Sequence, residues 1–253
     1  MISIVMAYHN RLPHLKYTLQ TYRLSEFKDF EVVIVDDFSS SDQSPSLLLN
    51  QFNDMPITVV TMKDVVPEKT YSNPCVPFNV GFGHCRGDKI IIQNPECCHA
   101  GDVMTFTDLH LTEANYLSFH CFAANNSSTM LLRDTSPGQI DLTSLQGQWY
   151  NHAVKRPVGY HFAAAISKTN LCELNGFDER YAEGECYDDD EFFRRIKKKG
   201  LHVQFIDNPY VIHQYHTKDK PFDMEKVKRN ETLYRSDDNI VVRANNNLNV
   251  CGI

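Results

Sequence analysis

The chain has 253 residues, of which 42% are hydrophobic, and its formal net charge is −7. This hydrophobic content is enough to build the core of an α/β domain, so extensive disorder is excluded. The negative charge argues against a general nucleic-acid-binding protein, which would carry a basic surface along the phosphate backbone.

No membrane-spanning or targeting segment is predicted. No stretch approaches the roughly 18 consecutive apolar residues that cross a bilayer. The apolar start at residues 1–7 lacks a basic n-region, so it does not resemble a signal peptide. The eight cysteines are expected to be reduced thiols. We therefore expect a cytoplasmic protein, with peripheral association with a membrane left open.

Strands alternate with helices through the first half of the chain, which is typical of a mostly parallel sheet flanked by helices. An α/β fold is therefore predicted. The apolar segments that we interpret as strands are residues 2–7, 30–37, 57–61, 89–93 and 115–122. The helices are expected between them, including one over residues 73–88.

The second half is less regular. Residues 123–157 are polar and rich in turn residues, and we expect a long functional loop here, such as a lid or an acceptor-binding segment. "YHFAAAI" (160–166) predicts a further strand, and "YDDDEFFRRIKKKG" (187–200) predicts a helix. A single domain is expected over residues 1–217, with its nucleotide half near 1–100 and its acceptor half near 101–217. Residues 218–253 would form a tail on that domain.

Polar residues stand where two predicted strands end. Asp36 and Asp37 close the second strand, and Asn94, Pro95 and Glu96 follow the fourth. Ligands bind beyond the carboxyl ends of strands in open α/β sheets, so these side chains are candidate ligand contacts. Asp and Ser also cap helices and form turns, which is the competing interpretation for the aspartates.

Acidic residues begin the predicted helix at residues 188–191. Acids at a helix start also interact favourably with the helix dipole, which is a purely structural explanation. Three consecutive aspartates repel one another, however, and this repulsion raises a carboxylate pKa toward that of a general base. We favour the second interpretation.

Four segments together resemble the GT-A nucleotide-sugar glycosyltransferases of the family 2 type: "ISIVMAYHNR", "FEVVIVDDFSS", "VPFNVGFGHCRGD" and "NGFDERYAEGECYDDDEFFRRI". The resemblance extends from residue 2 to about residue 216. It implies a divalent cation and an inverting transfer of a sugar from a nucleoside-diphosphate sugar. A UDP-sugar is the expected donor, and a hydroxyl group of a glycan or other molecule is the expected acceptor.

The resemblance also implies roles for individual residues. Asp189 matches the catalytic base, with support from Asp188, Asp190, Glu191 and Arg195. The residues that match the nucleotide-binding positions are Ala7, Tyr8, Asn10, Arg11, Asp36, Asp37, Asn79 and Asn94. The metal ligands would be Glu96 and His213, with His216 in reserve.

The sequence departs from the family where Asp-x-Asp is usual, because it has Asn94, Pro95 and Glu96. Pro95 favours an extended Asn94, Glu96 can still reach a cation, and neutral Asn94 can only exchange hydrogen bonds. The expected cation therefore has one charged ligand fewer. A histidine ligand favours Mn²⁺ over Mg²⁺, which prefers oxygen.

The remaining candidates concern the acceptor and the alternative functions. Trp149, Tyr150 and His152 are expected to stack on an acceptor sugar, although a partly buried aromatic cluster explains them equally well. A non-catalytic nucleotide- or sugar-binding module of the same fold is one alternative function. A sugar nucleotidyltransferase is another, but it would need a glycine-rich phosphate loop after the first strand, and "AYHNRLP" has none.

Overall fold

The computed structural model describes residues 1–217 and 221–236 of the chain. Strand β1 (Ile2–Tyr8) pairs in parallel with β2 (Phe30–Asp36) on one side and with β4 (Lys89–Gln93) on the other. Strand β3 (Ile57–Thr61) pairs in parallel with β2 at the edge. Every residue of β2 is buried, as expected for a parallel strand that is covered on both faces.

The other half of the sheet contains both strand directions. Strand β8 (Ala163–Ser167) is antiparallel to β4, and β6 (Asn115–Ala124) is antiparallel to β8. Strand β9 (His202–His213) runs parallel to β6. Two outer strands, β5 (Cys97–Ala100) and β7 (Gly147–Asn151), are antiparallel to β9 and β6. In the described residues the order is β3-β2-β1-β4-β8-β6-β9-β5, with β7 beside β6.

The predicted α/β domain is confirmed, and its sheet is mixed rather than mostly parallel. The difference has a simple cause, because an apolar strand such as β8 does not encode its own direction. Direction depends on the connection that precedes the strand, which here is the irregular segment after β7.

Helices cover both faces of the sheet. They are α1 (Leu12–Tyr22), α2 (Met62–Val65), α3 (Cys75–Gly83), α4 (Val103–His110), α5 (Asn126–Asp134), α6 (Lys168–Glu173), α7 (Asp188–Lys198) and α8 (Met224–Ser236). Short 3₁₀ turns occur at Ser41–Gln43, Pro45–Leu48, Leu142–Ser144 and Glu179–Tyr181. Helix α3 lies very close to β1, because a Cβ atom on Gly81 would be 2.6 Å from Val5 Cγ1. None of the described helices is long and apolar enough to cross a membrane.

The prediction of a long loop at residues 123–157 was wrong. Helix α5 and strand β7 both lie within it. The side chain of Asn125 caps α5 by accepting a hydrogen bond from the Ser128 backbone at 2.9 Å. The helix is short and mostly polar, with only Ser128, Thr129 and Leu132 buried, so it lacks the apolar periodicity that would reveal it.

The cysteines differ partly from the expectation. In the described residues, the cysteines at positions 75, 85, 97, 98 and 121 are free thiols. Cys172 is disulfide-bonded, so the expectation of reduced thiols throughout was wrong at this position.

The described part of the predicted tail contacts the rest of the protein through α8. Asn230 is fully buried, and its Nδ2 donates hydrogen bonds to the carbonyl oxygens of Tyr181 at 3.1 Å and Cys186 at 2.9 Å. A Cβ atom on Gly184 would lie 2.0 Å from Asn230 Oδ1, so the turn requires glycine there. Helix α8 thus supports the turn that leads into α7.

A fully buried arginine anchors α7. Nε and Nη2 of Arg195 donate to the two carboxylate oxygens of Glu191 at 2.6 and 2.7 Å. Nη1 and Nη2 also donate to the carbonyl oxygens of Leu174 and Gly176 at 2.5 and 2.8 Å. Glu191 and Arg195, predicted as supports of the base, therefore hold the helix against the preceding turn.

We expect Arg195→Ala to lower the free energy of unfolding by about 3–5 kcal/mol, because it leaves the buried Glu191 carboxylate unpaired. Arg235→Ala is the matched control, since Arg235 pairs with Glu231 at the same spacing but with its side chain 74% exposed. The control should change stability little. Urea denaturation measures both variants, and equal effects would contradict the anchoring role of Arg195.

Candidate functional site

The candidate residues gather at one edge of the sheet. Strands β1, β2 and β4 run parallel, so their carboxyl ends lie together at this edge. Strand β8 is antiparallel to β4 and begins at the same edge, with Ala163 opposite Gln93. Residues 94–96 and 160–162 therefore leave the sheet side by side.

Glu96, His213 and His216 converge at this edge. Glu96 Oε1 lies 3.3 Å from His213 Nε2 and 3.4 Å from His216 Nε2. The register of β5 on β9, which places Cys97 opposite His213, brings the first pair together. Burial raises the pKa of the Glu96 carboxyl, but its hydrogen bonds to the two imidazoles act oppositely and hold it well below its usual value.

Gln214 fixes this cluster, and the sequence analysis missed it. Its backbone nitrogen donates to the Glu96 carbonyl oxygen at 3.0 Å, and its Nε2 donates to the same oxygen at 3.1 Å. Nε2 also lies 3.2 Å from Thr18 Oγ1 on α1. Because Gln214 lies between the two histidines in the chain, these bonds hold both rings beside Glu96.

The donor atoms of this cluster suit a divalent cation. Two imidazole nitrogens and a carboxylate oxygen lie within 4.8 Å of one another. His216 Nδ1 lies 3.1 Å from the Thr217 carbonyl oxygen. His213 and His216 both direct Nε2 toward Glu96, so these two nitrogens would face a cation bound there. The ligand set fits Mn²⁺, which accepts both nitrogen and oxygen.

A second histidine cluster fits a metal less well. His120 Nε2 accepts a hydrogen bond from the Ala153 backbone at 2.9 Å, so the ring proton lies on Nδ1, which faces Asp207 at 3.1 Å. His152 Nδ1 accepts from the backbone of Val154 at 3.1 Å. A metal bound to His120 Nδ1 and His152 Nε2 would leave the ring protons on His120 Nε2 and His152 Nδ1. Those protons would then face the backbone N–H groups of Ala153 and Val154. Hydrogen bonding therefore accounts for this cluster.

Arg11 connects the cluster of Glu96, His213 and His216 with the end of β1. One of its terminal nitrogens, Nη2, lies 3.1 Å from His216 Nδ1. Tyr8 OH accepts a hydrogen bond from the Arg11 backbone at 3.1 Å, and Asn10 Oδ1 accepts one from the Ser40 backbone at 3.0 Å. Ala7 is partly exposed at the end of the otherwise buried β1. These contacts hold the segment after β1 and place a cationic guanidinium beside the cluster.

The adjacent aspartates after β2 differ in their contacts. Asp36 Oδ1 accepts a hydrogen bond from the Ser39 backbone at 3.0 Å, so it caps a turn. Asp37 accepts from Lys69 Nζ at 2.6 Å and from Tyr71 OH at 2.7 Å. The sequence analysis missed Lys69 and Tyr71, because they lie in an irregular segment more than 30 residues further along.

Asn79 makes three side-chain hydrogen bonds within the protein. Its side chain is fully buried, and its Nδ2 donates to the Phe177 carbonyl oxygen at 2.9 Å and to a Glu179 carboxylate oxygen at 2.9 Å. Its Oδ1 accepts from the Phe177 backbone at 2.8 Å. All three hydrogen bonds connect α3 to the segment before α7, and the nucleotide contact of Asn79 stays a prediction. The Asn94 backbone pairs with the Phe162 carbonyl oxygen at 3.3 Å, at the edge.

The three aspartates that begin α7 face different partners. Asp188 Oδ1 accepts from Asn73 Nδ2 at 2.8 Å, and Asp190 Oδ1 accepts from Tyr160 OH at 2.8 Å. Burial is the main cause that raises the pKa of Asp188 and of Asp190, and the charge of Asp189 adds to it. Repulsion therefore contributes as expected, but it raises the pKa of the flanking carboxylates and is not the largest cause.

Asp189 is paired with a histidine that the sequence analysis missed. The His161 backbone nitrogen lies 3.2 Å from Asp189 Oδ1, and the ring Nδ1 of His161 contacts the same oxygen. The side chain of Asp189 is 28% exposed, and Oδ2 has no hydrogen-bond partner in the part of the chain that the structure describes. One carboxylate oxygen is thus held, and the other is available to a ligand.

An unusual turn sets the start of α7. Cys186 and Tyr187 both adopt the left-handed region, with φ of 60° and 66°. Such residues are costly unless the surroundings hold them, and Asn230 donates a hydrogen bond to the Cys186 carbonyl oxygen at 2.9 Å. The turn therefore fixes the direction in which the acids point.

Residues 160–162 lie between the Glu96–histidine cluster and the aspartates of α7. Tyr160 and His161 contact the aspartates of α7, and the ring of Phe162 lies 6.1 Å from that of His213. Glu96 and Asp189 therefore lie at the same edge of the sheet, on either side of this short segment.

The predicted acceptor residues are divided. The ring of Tyr150 lies 5.2 Å from that of His213, and both line a cavity of about 170 Å³ with Ala123, Ala124, Tyr215 and His216. Trp149 and His152 instead pack on His120, at ring distances of 5.7 and 4.2 Å. Neighbouring residues of a strand point to opposite faces, which explains why Trp149 and Tyr150 separate.

Two solved structures illustrate the similarity of the fold. S. aureus TarS 1-349 in complex with UDP has a TM-score of 0.60 and 15% identity, and the match covers 83% of this chain and 59% of TarS 1-349. The mannosyltransferase PcManGT from Pyrobaculum calidifontis, in complex with GDP-Man and Mn²⁺, has a TM-score of 0.59 and 13% identity, with 94% and 65% covered. The chain thus spans about three fifths of these two structures. At this identity the likeness concerns the fold alone.

The sequence comparisons give the family. No curated protein matches the chain. The family described as "Glycosyltransferase like family 2" matches residues 2–244, which is nearly the whole chain. Together with its GT-A-like fold, this match shows that the chain belongs to the glycosyltransferase-like family 2.

Proposed function

We propose that the protein is a metal-dependent, inverting glycosyltransferase that moves a sugar from a UDP-sugar to a hydroxyl group of a glycan or other acceptor. One observation carries the proposal, which is that Glu96 with its two histidines and Asp189 with His161 lie at the same sheet edge. The first cluster suits a cation, and the second leaves a carboxylate oxygen available for a proton. Membership of the family supports the reaction class.

Glu96, His213 and His216 would hold the cation. A divalent cation there would stabilise the negative charge that develops on the departing diphosphate. Arg11 would bind a phosphate oxygen, because its guanidinium already lies beside His216. Neutral Asn94 would add a hydrogen bond rather than a charge. Two imidazoles favour Mn²⁺ over Mg²⁺.

Asp37 would contact the nucleobase together with Lys69. The pair offers an ammonium donor and a carboxylate acceptor side by side. Uracil has a matching pattern, since its N3–H donates and its carbonyl oxygens accept hydrogen bonds. Guanine also combines an N–H with a carbonyl, so GDP-sugars are the appropriate comparison.

Asp189 would act as the general base. Its Oδ2 would take the proton of the acceptor hydroxyl group. At the same time the hydroxyl oxygen would form a bond to the anomeric carbon, and the bond between this carbon and the diphosphate would break. A single displacement of this kind inverts the anomeric carbon. Asp188 and Asp190 are paired with Asn73 and Tyr160, so they would support the base without contacting the acceptor.

Tyr150 is the proposed sugar contact, because it lines the cavity beside His213. Trp149 and His152 pack on His120 instead, and their part in acceptor binding stays a prediction.

A panel of UDP- and GDP-sugars, with and without Mn²⁺, tests the function as a whole. A ligand of the native state raises the melting temperature, and we expect the largest rise with a UDP-sugar plus Mn²⁺. Release of UDP from that donor would then report transfer or hydrolysis. Binding without any release would indicate a non-catalytic module, and no binding of UDP-sugars would contradict the proposal.

For the metal ligands, we expect Glu96→Gln and His213→Gln to weaken Mn²⁺-dependent UDP binding by on the order of tenfold or more. Each removes a donor atom from the cluster. His202→Gln is the matched control, because His202 lies at the other end of β9 and is exposed. Isothermal titration calorimetry measures the three affinities. Affinities equal to the control would show that the cation binds elsewhere.

For the base, we expect Asp189→Asn to lower kcat by about 10²–10⁴-fold, since the amide cannot accept the acceptor proton. UDP affinity with Mn²⁺ should stay unchanged. Asp190→Asn, one residue further along the helix, should retain far more activity. Steady-state kinetics compare them, and a rate for Asp189→Asn within a few-fold of the wild type would exclude Asp189 as the base.

A further inference from the structure

We propose that His161 is a positioning residue that keeps the negative charge of the three aspartates at the start of α7 on Asp189. It would also determine which oxygen of Asp189 receives the acceptor proton. This inference rests on the proposed function. The inference starts from the observation that two nitrogens of His161 contact the same carboxylate oxygen of Asp189. The backbone nitrogen and ring Nδ1 of His161 both contact Asp189 Oδ1. Two contacts on Oδ1 fix the rotation of the carboxylate and leave Oδ2 for the acceptor.

The His161 ring lies in a largely aromatic pocket, and in the described residues its ion-pair partner is Asp189. The ring is nearly buried and lies edge-on to Phe78 and Phe177, at centroid distances of 5.0 and 4.9 Å. The ionisable groups that face the His161–Asp189 pair are Asp188 and Asp190 on α7, Tyr160 before β8, and Tyr116 on β6. A cationic imidazole in an apolar pocket is stable only when an anion pairs with it, and Asp189 is in contact.

The properties of Asp188 and Asp190 also favour a negative charge on Asp189 rather than on its neighbours. Three consecutive carboxylates repel one another when all are ionised. The pKa values of Asp188 and Asp190 are raised, mainly by burial and further by the charge of Asp189. Burial lowers the pKa of His161, but the charge of Asp189 and its hydrogen bond outweigh this, so the pKa of His161 is raised. An imidazolium next to Asp189 therefore stabilises the anion there rather than at its neighbours.

The pH dependence follows from the sign of this pairing. Below its raised pKa, His161 carries a positive charge in contact with the Asp189 carboxylate. A nearby positive charge favours the ionised form of a carboxylate, and a neutral side chain at position 161 would lack this effect. The acid limb of the kcat/KM profile should therefore move to higher pH in a variant that has a neutral side chain at position 161.

Two substitutions separate charge from orientation. In His161→Asn the side-chain Nδ2 takes the place of ring Nδ1 as a donor to Asp189, but it carries no charge. We expect its acid limb to move up by about 1–3 pH units, with a near-normal rate above the limb. His161→Phe removes both properties but fits the aromatic pocket, so its rate should also fall at every pH. UDP affinity with Mn²⁺ should be unchanged in both.

His84→Asn, the same change at an exposed histidine, is the control for the profiles. Profiles of His161→Asn that match the wild type would overturn the proposal, even if His161→Phe fails to fold. If the wild type transferred no sugar, the proposed function would fail instead. An NMR titration then still tests the ion pair, because Asp189→Asn should lower the pKa of the His161 ring. An unchanged His161 titration in that variant would contradict the inference.

Discussion

The candidate site depends on the antiparallel pairing of β4 with β8. Gln93 lies opposite Ala163, so the residues that follow β4 and those that precede β8 emerge at the same edge. Glu96 is on the first of these segments and His161 is on the second. Because a slip of one residue would turn each strand's side chains to the opposite face, this register sets the distance between the two clusters.

Buried amides hold the irregular segments that carry the site. Asn79 connects α3 to the turn at Phe177, Gln214 connects the end of β9 to Glu96, and Asn230 connects α8 to the turn at Cys186. Each gives a partner to backbone groups that would cost about 1–3 kcal/mol if they were buried without one. A neutral amide does this without adding charge beside the acids. Buried amide side chains therefore hold the turns on which the candidate site is built.

Much of the fold was predictable from the sequence, because the signals were local. Runs of apolar residues gave the strands from β1 to β4, and the acids after Tyr187 gave the start of α7. The directions of β8 and β9 were not predictable, since direction depends on the whole connection. The contacts of Asn79 were not predictable for a related reason, because Phe177 and Glu179 lie about 100 residues away in the chain.

The site residues show the same division. Glu96, Asp37 and Asp189 stand at strand or helix ends, where position alone suggests a ligand contact. Their partners carry no such signal. Lys69 and Gln214 become visible only when segments 32 and 118 residues apart meet Asp37 and Glu96. A single sequence contains these residues but not the contacts between them.

The pairing of charges bears on the proposed binding of an anionic donor by an acidic protein. With a net charge of −7, the protein as a whole would repel a nucleoside diphosphate. At the sheet edge, however, the prominent acids have cationic or imidazole partners, namely His213 and His216 for Glu96, Lys69 for Asp37 and His161 for Asp189. Asn94, where the family usually has an aspartate, removes one more negative charge. These pairings offset part of the negative charge at the edge, and Arg11 adds a cation beside Glu96, His213 and His216.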